Sequence, residues 1–372
     1  MKIGILTYHR AENYGAMLQA YALKVYLQTL GHEVSFVDYW PKYHYDYFRL
    51  FPWEQLKARN LFSRIGYVVK LVFWVIPRYM RKRRFQKFMH ARLHISSEIK
   101  YVSEDTTEQY DVVVYGSDQI WRKQNLGGVG FDGWYFGTEN VCASKKVAYA
   151  GSMGTLQLTD DDTDYIKQMM KNFHSLSVRE KDLQLLLSNL NISAALVIDP
   201  VFMLSKSHWE ELSNNSHVKK GKYILFYHLL DTPESTCFAE KLSRQSGLPI
   251  REVTKIMSFK HIGSRYIYSA SVEDFLSLIR EAEYVVSNSF HGVAMSIIFE
   301  KQFFAVGMGK RANRVVSLLD SLGISDRYID GDIGSFNKSI DYVKVASSLE
   351  ILRRNSVQYL EHALETIKHH RA

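Results

Sequence analysis

The sequence predicts an α/β chain of two doubly wound halves that meet near residue 205, on three observations. Short β-branched and aromatic runs alternate with stretches of helical spacing, the rhythm of parallel sheets wrapped by helices. The predicted strands of the first half end in small or charged residues, as strands do when their carboxyl edge faces a ligand. The 372 residues, 46% hydrophobic and 23% charged, suffice for two ordinary domains with full cores. The expected divisions are 1–204 with a helical insertion at 41–100, then 205–345, then a C-terminal helix at 346–372.

Lys2–Tyr8 reads as the first strand, and residues 1–7 are too short for a signal peptide. Ala16–Leu30 follows as a helix, with Leu18, Tyr21, Ala22, Val25 and Leu30 three to four apart and Gly31 closing it. Glu33–Tyr39 is the second strand. The loop between them ends in Asn13-Tyr14-Gly15. Its one glycine does not make the three-glycine dinucleotide fingerprint, but it would let backbone N–H groups face a ligand. A plain connection is the other reading.

Residues 41–100 break the rhythm. Between Gln55 and Ser97 stand eleven Lys or Arg and no Asp or Glu, so this segment alone exceeds the net charge of +8 and the remainder is slightly acidic. A uniformly basic protein would suggest nucleic acid; one basic island suggests a local docking surface, and nucleic acid is not expected as a partner. Leu61–Val75 has helical spacing, Pro77 is expected to stop or bend it, and Arg78–Arg92 continues as a cationic stretch. With Trp53, Trp74 and Tyr79 between them, these pieces resemble an interfacial membrane element at 55–97; a helical insertion with a solvated basic face is the alternative. No apolar run approaches the ~20 residues that span a bilayer. The distant Cys142 and Cys237 match no metal or redox spacing and read as packing residues of a reducing compartment. The expected location is cytoplasmic, with peripheral contact at the inner membrane face.

Asp111–Tyr115 is a buried strand leading into Gly116-Ser117-Asp118-Gln119-Ile120-Trp121. Lys145–Ala150 is the next strand, and Thr159–Phe173 a helix with Asp160 to Asp162 in its first turn. Ser175–Val178 delivers Arg179-Glu180, and Leu196–Ile198 delivers Asp199-Pro200. In the second half Tyr223–Leu229 and Ile250–Thr254 are strands around a helix at Pro233–Ser246. Ser271 to Asp274 opens another helix as a capping box. Lys310–Leu322 is a helix with Arg311 and Arg314 in its first turn, and Ile340–His370 a long final one.

Tyr284 to Phe299 carries the sharpest signal. A β-branched strand runs into Ser287-Asn288-Ser289, then Phe290-His291-Gly292, then an apolar helix and the strand Gln302–Val306. At such a junction a helix N-terminus favours anions, which puts a titratable His291 where an anionic substrate could meet it. A histidine that bonds a neighbouring carbonyl is the other reading.

Asn13-Tyr-Gly-Ala-Met-Leu-Gln-Ala-Tyr-Ala-Leu23, Gly116 to Trp121, Ser177-Val-Arg-Glu180, Asp199-Pro200 and Ser289-Phe-His-Gly292 occur in this order. Together they resemble the polysaccharide pyruvyl transferase family, over about residues 3 to 325. The resemblance implies a glycosyltransferase-B-like architecture of two Rossmann-like domains with the active site between them. It implies phosphoenolpyruvate as donor substrate, a sugar of a cell-surface polysaccharide or lipid-linked oligosaccharide as acceptor, and a pyruvate ketal as product. The family's histidine falls on His291. Some relatives carry arginine two residues before it, where this chain has Ser289.

Phosphoenolpyruvate carries a carboxylate and a phosphate close together, which calls for at least two fixed cations; Arg179, Arg311 and Arg314 are the candidates. Ser289 and Gly292 complete the expected donor site. Ketal formation needs a proton on the enol carbon, which His291 could donate, unless it holds the leaving phosphate instead. A carboxylate is wanted as base toward the sugar hydroxyl, with Asp118 preferred and Glu180 and Asp199 as alternatives. Asn13, Tyr14, Gly15, Ser117 and Gln119 are expected to line the cleft. No step needs a metal or a further cofactor, and no Gly-x-Ser-x-Gly elbow appears. Two other readings stand beside this one: a nucleotide-sugar glycosyltransferase on the same fold, and a non-catalytic glycan-binding or assembly protein. The first would need an acidic ribose-binding residue in the second half, where Glu273, Asp274 and Glu281 look like helix surface.

Overall fold

The computed structural model describes residues 1–50, 60–96, 108–124, 128–154, 156–214, 216, 218, 221–255, 259, 261–309, 312–330 and 339–365. The strands of the first half are β1 (Lys2–Leu6), β2 (Glu33–Phe36), β3 (Tyr110–Tyr115), β4 (Ala143–Gly151), β5 (Ser175–Val178) and β6 (Ala195–Leu196). They form one sheet in the order β2-β1-β3-β4-β5-β6, and every pairing is parallel. The second half contributes β7 (Ile224–Tyr227), β8 (Ile250–Val253), β9 (Tyr266–Ile267), β10 (Tyr284–Ser287), β11 (Gln302–Val306) and β12 (Tyr328–Ile329). These form a second parallel sheet in the order β12-β11-β10-β7-β8-β9. Read from its other edge, that order is the doubly wound one, with its crossover reversal between β7 and β10. Two such Rossmann-like halves are the architecture the sequence predicts.

The helices are α1 (Tyr14–Thr29), α2 (Lys42–Tyr47), α3 (Leu61–Phe88), α4 (Asp160–Met169), α5 (Lys181–Asn189), α6 (Lys206–Ser213), α7 (Pro233–Ser246), α8 (Val272–Glu281), α9 (Phe290–Ile298), α10 (Asn313–Ser321) and α11 (Tyr342–Glu365). Their starts follow local chemistry. The Asn13 side chain accepts from the Ala16 N–H, and capping boxes at Thr159/Asp162 and Ser271/Asp274 open α4 and α8.

One continuous apolar core runs through both halves, joining Ile3, Leu18 and Leu23 of the first to Leu225, Phe275 and Met295 of the second. The crossover Pro200–Met203 is buried within it. The final helix returns to the first half. Ser356 Oγ accepts from the Ile198 N–H at 3.0 Å, and the Tyr359 hydroxyl donates to the Ala148 carbonyl at 2.9 Å.

Helix α3 departs from expectation. It runs through Pro77 without stopping, because Leu71, Trp74, Phe85 and Phe88 anchor one side of it in the protein on both flanks of the proline. Three cations of its basic run, Arg81, Lys82 and Arg84, are engaged with the protein. Arg81 is buried, donating to the Glu12 carbonyl at 3.1 Å and the Tyr14 hydroxyl at 3.3 Å. Lys82 pairs with Glu12 at 3.0 Å, and Arg84 reaches Asp274 at 3.1 Å and the Ser269 carbonyl at 2.6 Å. The helix therefore straps the two halves together. Cys142 and Cys237, expected in packing positions, are both exposed. Among the described residues no helix is long and apolar enough to cross a membrane.

Candidate active site

The carboxyl ends of β3, β4 and β5 bring Ser117, Asp118, Ser152, Arg179 and Glu180 to one point, and the crossover after β6 adds Asp199. From the second half, the start of α9 supplies His291 and the start of α10 supplies Arg314. Asp199 is the hub. Its Oδ2 takes a short hydrogen bond from Arg179 Nη1, accepts from Ser117 Oγ at 3.2 Å, and lies 3.5 Å from His291 Nε2. Its Oδ1 caps the turn it precedes, accepting from the Val201 N–H at 3.2 Å. Burial pushes this carboxyl up, but His291 and then Arg179 more than reverse that and hold it well below the usual carboxylate range.

Arg179 faces three carboxylates. Besides Asp199, its Nη2 donates to Asp118 Oδ1 at 3.2 Å and its Nε lies 3.7 Å from Glu180 Oε1, while Phe290 packs on its face at 5.0 Å. Burial works against its charge, yet the carboxylates win and raise its pKa. With its side chain only 1% exposed and its edges facing carboxylates, Arg179 presents no open fork to an anionic donor. Expected at the donor, Arg179 has its Nη1 and Nη2 engaged by Asp199 and Asp118. Glu180 lies between the two arginines, 3.8 Å from Arg314 Nε, and accepts a short bond from Ser152 Oγ. Burial pushes its carboxyl up, and Arg179, Arg314 and Ser152 only partly offset this.

Of the three acids Asp118 is the most open, at 18% against 3% and 0% for the Glu180 and Asp199 side chains. Arg314 is held by a neutral partner as well. With its amide oxygen toward the guanidinium, Gln119 accepts from Arg314 at 2.6 and 3.0 Å. Arg314 also lines, with Arg179, Asp199 and Phe290, a small cavity of about 60 Å³. Arg311 lies outside the described residues.

Two residues expected at the donor serve the backbone. Ser289 caps α9, accepting from the Gly292 N–H at 3.5 Å. Gly292 makes room: a Cβ there would lie 2.4 Å from Ser287 Oγ and 2.9 Å from the Tyr227 ring. On the other side of the cleft, Gly15 packs against the His291 ring, while Tyr14 stacks on Phe275 at 4.3 Å and donates to the Ala270 carbonyl at 2.8 Å.

Beside Asn13 and Tyr14 opens the larger cavity, about 410 Å³, between α3 and the carboxyl ends of β7 and β8. Tyr47, Tyr67 and Trp74 give it aromatic walls, and Arg78, Lys82 and Lys255 a cationic lining. His228 on its wall was not singled out in the sequence. It bonds Glu252 at 2.9 Å, and Glu252 accepts from Arg265 at 2.9 Å. Only the strand-end position of Tyr227-His228 could have signalled it. Among the described residues no group of His, Cys, Asp or Glu is placed to hold a metal ion.

The sequence matches the polysaccharide pyruvyl transferase family over residues 13–309, a span that contains all the residues of this cluster up to His291. The chain belongs to that family. None of the curated proteins matches it. Solved structures of similar chain path include the UDP-GlcNAc 2-epimerase from Methanocaldococcus jannaschii, at 11% identity and a TM-score of 0.44 over 95% of this chain and 93% of that one. Arabidopsis thaliana UGT89C1 complexed with quercetin follows at 10% identity and 0.42, covering 99% of this chain and 95% of that one. E. coli heptosyltransferase WaaC has 10% identity and 0.37, covering 82% and 88%. Likenesses this loose say nothing of substrate. In this family member His291, from the second half, meets a buried carboxylate hub of the first.

Proposed function

We propose that this protein transfers the pyruvyl unit of phosphoenolpyruvate to two hydroxyls of a glycan sugar, forming a ketal and releasing phosphate. The observation that carries the reading is the approach of His291, from one half, to Asp199, from the other, at 3.5 Å. Asp199, held as a carboxylate, faces the imidazole Nε2, where it orients the ring and offsets charge that develops on it.

The steps balance as follows. His291 gives its proton to the methylene carbon, which becomes the methyl group, and the first sugar hydroxyl adds to the adjacent carbon. Asp118 takes that hydroxyl's proton. The second hydroxyl then displaces phosphate at the same carbon, and its proton leaves with the phosphate once His291 and Asp118 have returned to their starting states. Arg314 is the cation for the donor, alongside the positive end of α9. Arg179 and Glu180 hold Asp118, Asp199 and Arg314 in place.

The larger cavity suits the acceptor: aromatic walls stack on sugar faces, and Arg78, Lys82 and Lys255 suit a phosphate or diphosphate carrier. A nucleotide sugar fits less well. The acid at the end of the second strand of such a sheet is the usual ribose contact, and here that residue, Glu252, has both oxygens engaged by His228 and Arg265.

Incubation with phosphoenolpyruvate and a lipid-linked oligosaccharide tests the proposal, read as phosphate release and a gain of pyruvyl mass on the glycan. Phosphate released only with acceptor present is expected. No phosphate release with phosphoenolpyruvate and acceptor, or release of a nucleoside diphosphate when a nucleotide sugar replaces phosphoenolpyruvate, would overturn it.

A further inference from the structure

The outward side of α3 carries a feature that the strap on its inward side does not explain. Ile65, Val69, Val72, Phe73, Ile76 and Met80 are all exposed, Val72 at 65% and Ile76 at 68%. At 100° per residue these positions share one stripe, opposite to Trp74, Arg81 and Phe85, which are buried. The stripe extends onto the second half, where Phe259, itself 51% exposed, meets Phe73 with ring centroids 5.1 Å apart. An apolar stripe of this length on the surface of a monomer marks an interaction site.

The same line of the helix continues through Arg83 and Lys87, both exposed, whereas Arg81, Lys82 and Arg84 turn inward. The outer face is thus apolar for about four turns and then cationic. No acidic residue lies between Gln55 and Ser97 to balance those cations. A second copy of the chain would cover this face poorly. Related by a two-fold axis, two such stripes would bring cation against cation or bury Arg83 and Lys87 against Ile65 and Val69 with no carboxylate to pair them. A lipid surface offers hydrocarbon and phosphate in adjacent layers, the same two chemistries the stripe presents in sequence.

We propose that α3 docks this protein on an anionic lipid surface, with Val72, Phe73 and Ile76 in the acyl–headgroup boundary and Arg83 and Lys87 at the phosphates. Within the basic island at 55–97 the docking surface is therefore the apolar stripe with Arg83 and Lys87, and not Arg81, Lys82 and Arg84, which turn inward. The inward face of this helix, through Tyr67, Leu71, Trp74 and Arg78, walls the larger cavity, so docking sets that cavity beside the membrane. Its service to a lipid-linked acceptor rests on the function proposed above; the docking itself does not.

The test is cosedimentation of the full chain with phosphatidylcholine vesicles carrying about 30% phosphatidylglycerol, compared with pure phosphatidylcholine. Wild type should bind the anionic vesicles, less tightly as salt rises. Val72→Asp/Ile76→Asp should lower the partition coefficient at least about tenfold with an unchanged melting temperature, since both side chains are already in solvent. Arg83→Gln/Lys87→Gln should bind about threefold more weakly and with a flatter salt dependence. No binding by wild type, or equal binding by the aspartate variant, overturns the proposal. So does a wild-type dimer that ignores vesicles and is split by the aspartate variant, which would mean a second copy covers the face. Turnover on a water-soluble acceptor separates the two proposals: its absence with vesicle binding intact counts against pyruvyl transfer alone.

Discussion

Gly15 lies directly against the His291 ring: a Cβ at position 15 would fall 2.1 Å from Nδ1. The first helix of one half is thereby cut to the shape of the imidazole from the other. Gly15→Ala should push the ring away from Asp199. Alanine would ordinarily favour a helix by about 1 kcal/mol, so the melting temperature should change little or fall slightly. Turnover should drop by about 10²-fold, as expected for a misplaced catalytic group. Full turnover in this variant would show that the imidazole position does not matter.

Asp199→Asn removes the charge shared by Arg179 and His291. Breaking a buried pair in this way costs about 3 kcal/mol. The folded pKa of Asp199 is depressed, so its contribution is complete above the unfolded value of about 3.9 and is lost as pH falls through the folded value. Chemical denaturation of both proteins should therefore show a constant stability gap from neutral pH to about pH 4, closing only in stronger acid. A gap that opens as the pH falls would contradict a depressed carboxyl.

Glu180 behaves with the opposite sign. Its folded pKa is raised by burial, so its contribution is present below the unfolded value of about 4.3 and is lost as pH rises through the folded one. Glu180→Gln does not titrate. The stability of the glutamine variant relative to wild type should climb as pH is raised from about 4 toward neutrality. A difference independent of pH would mean that Arg179 and Arg314 fully compensate the burial.

Arg81→Met separates the strap from the docking face. It leaves the Tyr14 hydroxyl and the Glu12 carbonyl without a buried guanidinium and should cost about 2 kcal/mol in stability. Vesicle binding should stay within about twofold of wild type, because this side chain does not reach the surface. Stability unchanged with binding lost would reverse the assignment of the two faces.

Arg81 also shows where the sequence stops being legible. The strands could be read because β-branched runs such as Val112 to Val114 are local signals, and so could the helix starts at Thr159 and Ser271, where the cap and its target lie three residues apart; the first helix starts at Tyr14, two residues before the Ala16 read from the sequence, with Asn13 as its cap. Asp118 and Asp199 after strands, and His291 at a strand-to-helix junction, could be placed from the sequence, whereas the approach of His291 to Asp199 across the two halves could not. The inward turn of Arg81 was not, since a run of four cations looks solvated until Glu12 and Tyr268, remote in sequence, are folded against it. The continuation of α3 through Pro77 depended in the same way on distant packing partners. The roles of Ser289 and Gly292 were hidden for a third reason: cap and close-packing positions use the same small residues as a ligand loop.

His291→Ala is the most direct test of the chemistry. The ring is buried at the start of α9, with Asp199 at 3.5 Å on one edge and Gly15 on the other. Its removal deletes the proposed proton donor and leaves Asp199 paired with Arg179, which remains the carboxylate's principal partner by geometry. Turnover should fall by about 10²- to 10⁴-fold, the usual worth of a positioned acid. The melting temperature should move by only a few degrees, since a 1 kcal/mol change shifts a domain of this size by about 2–4 °C. His291→Asn adds a discriminating control: its amide can keep a hydrogen bond to Asp199 but cannot deliver a proton, so it should match alanine in rate and wild type in stability. A histidine that merely packs would show the reverse, with asparagine restoring activity and alanine unfolding the protein.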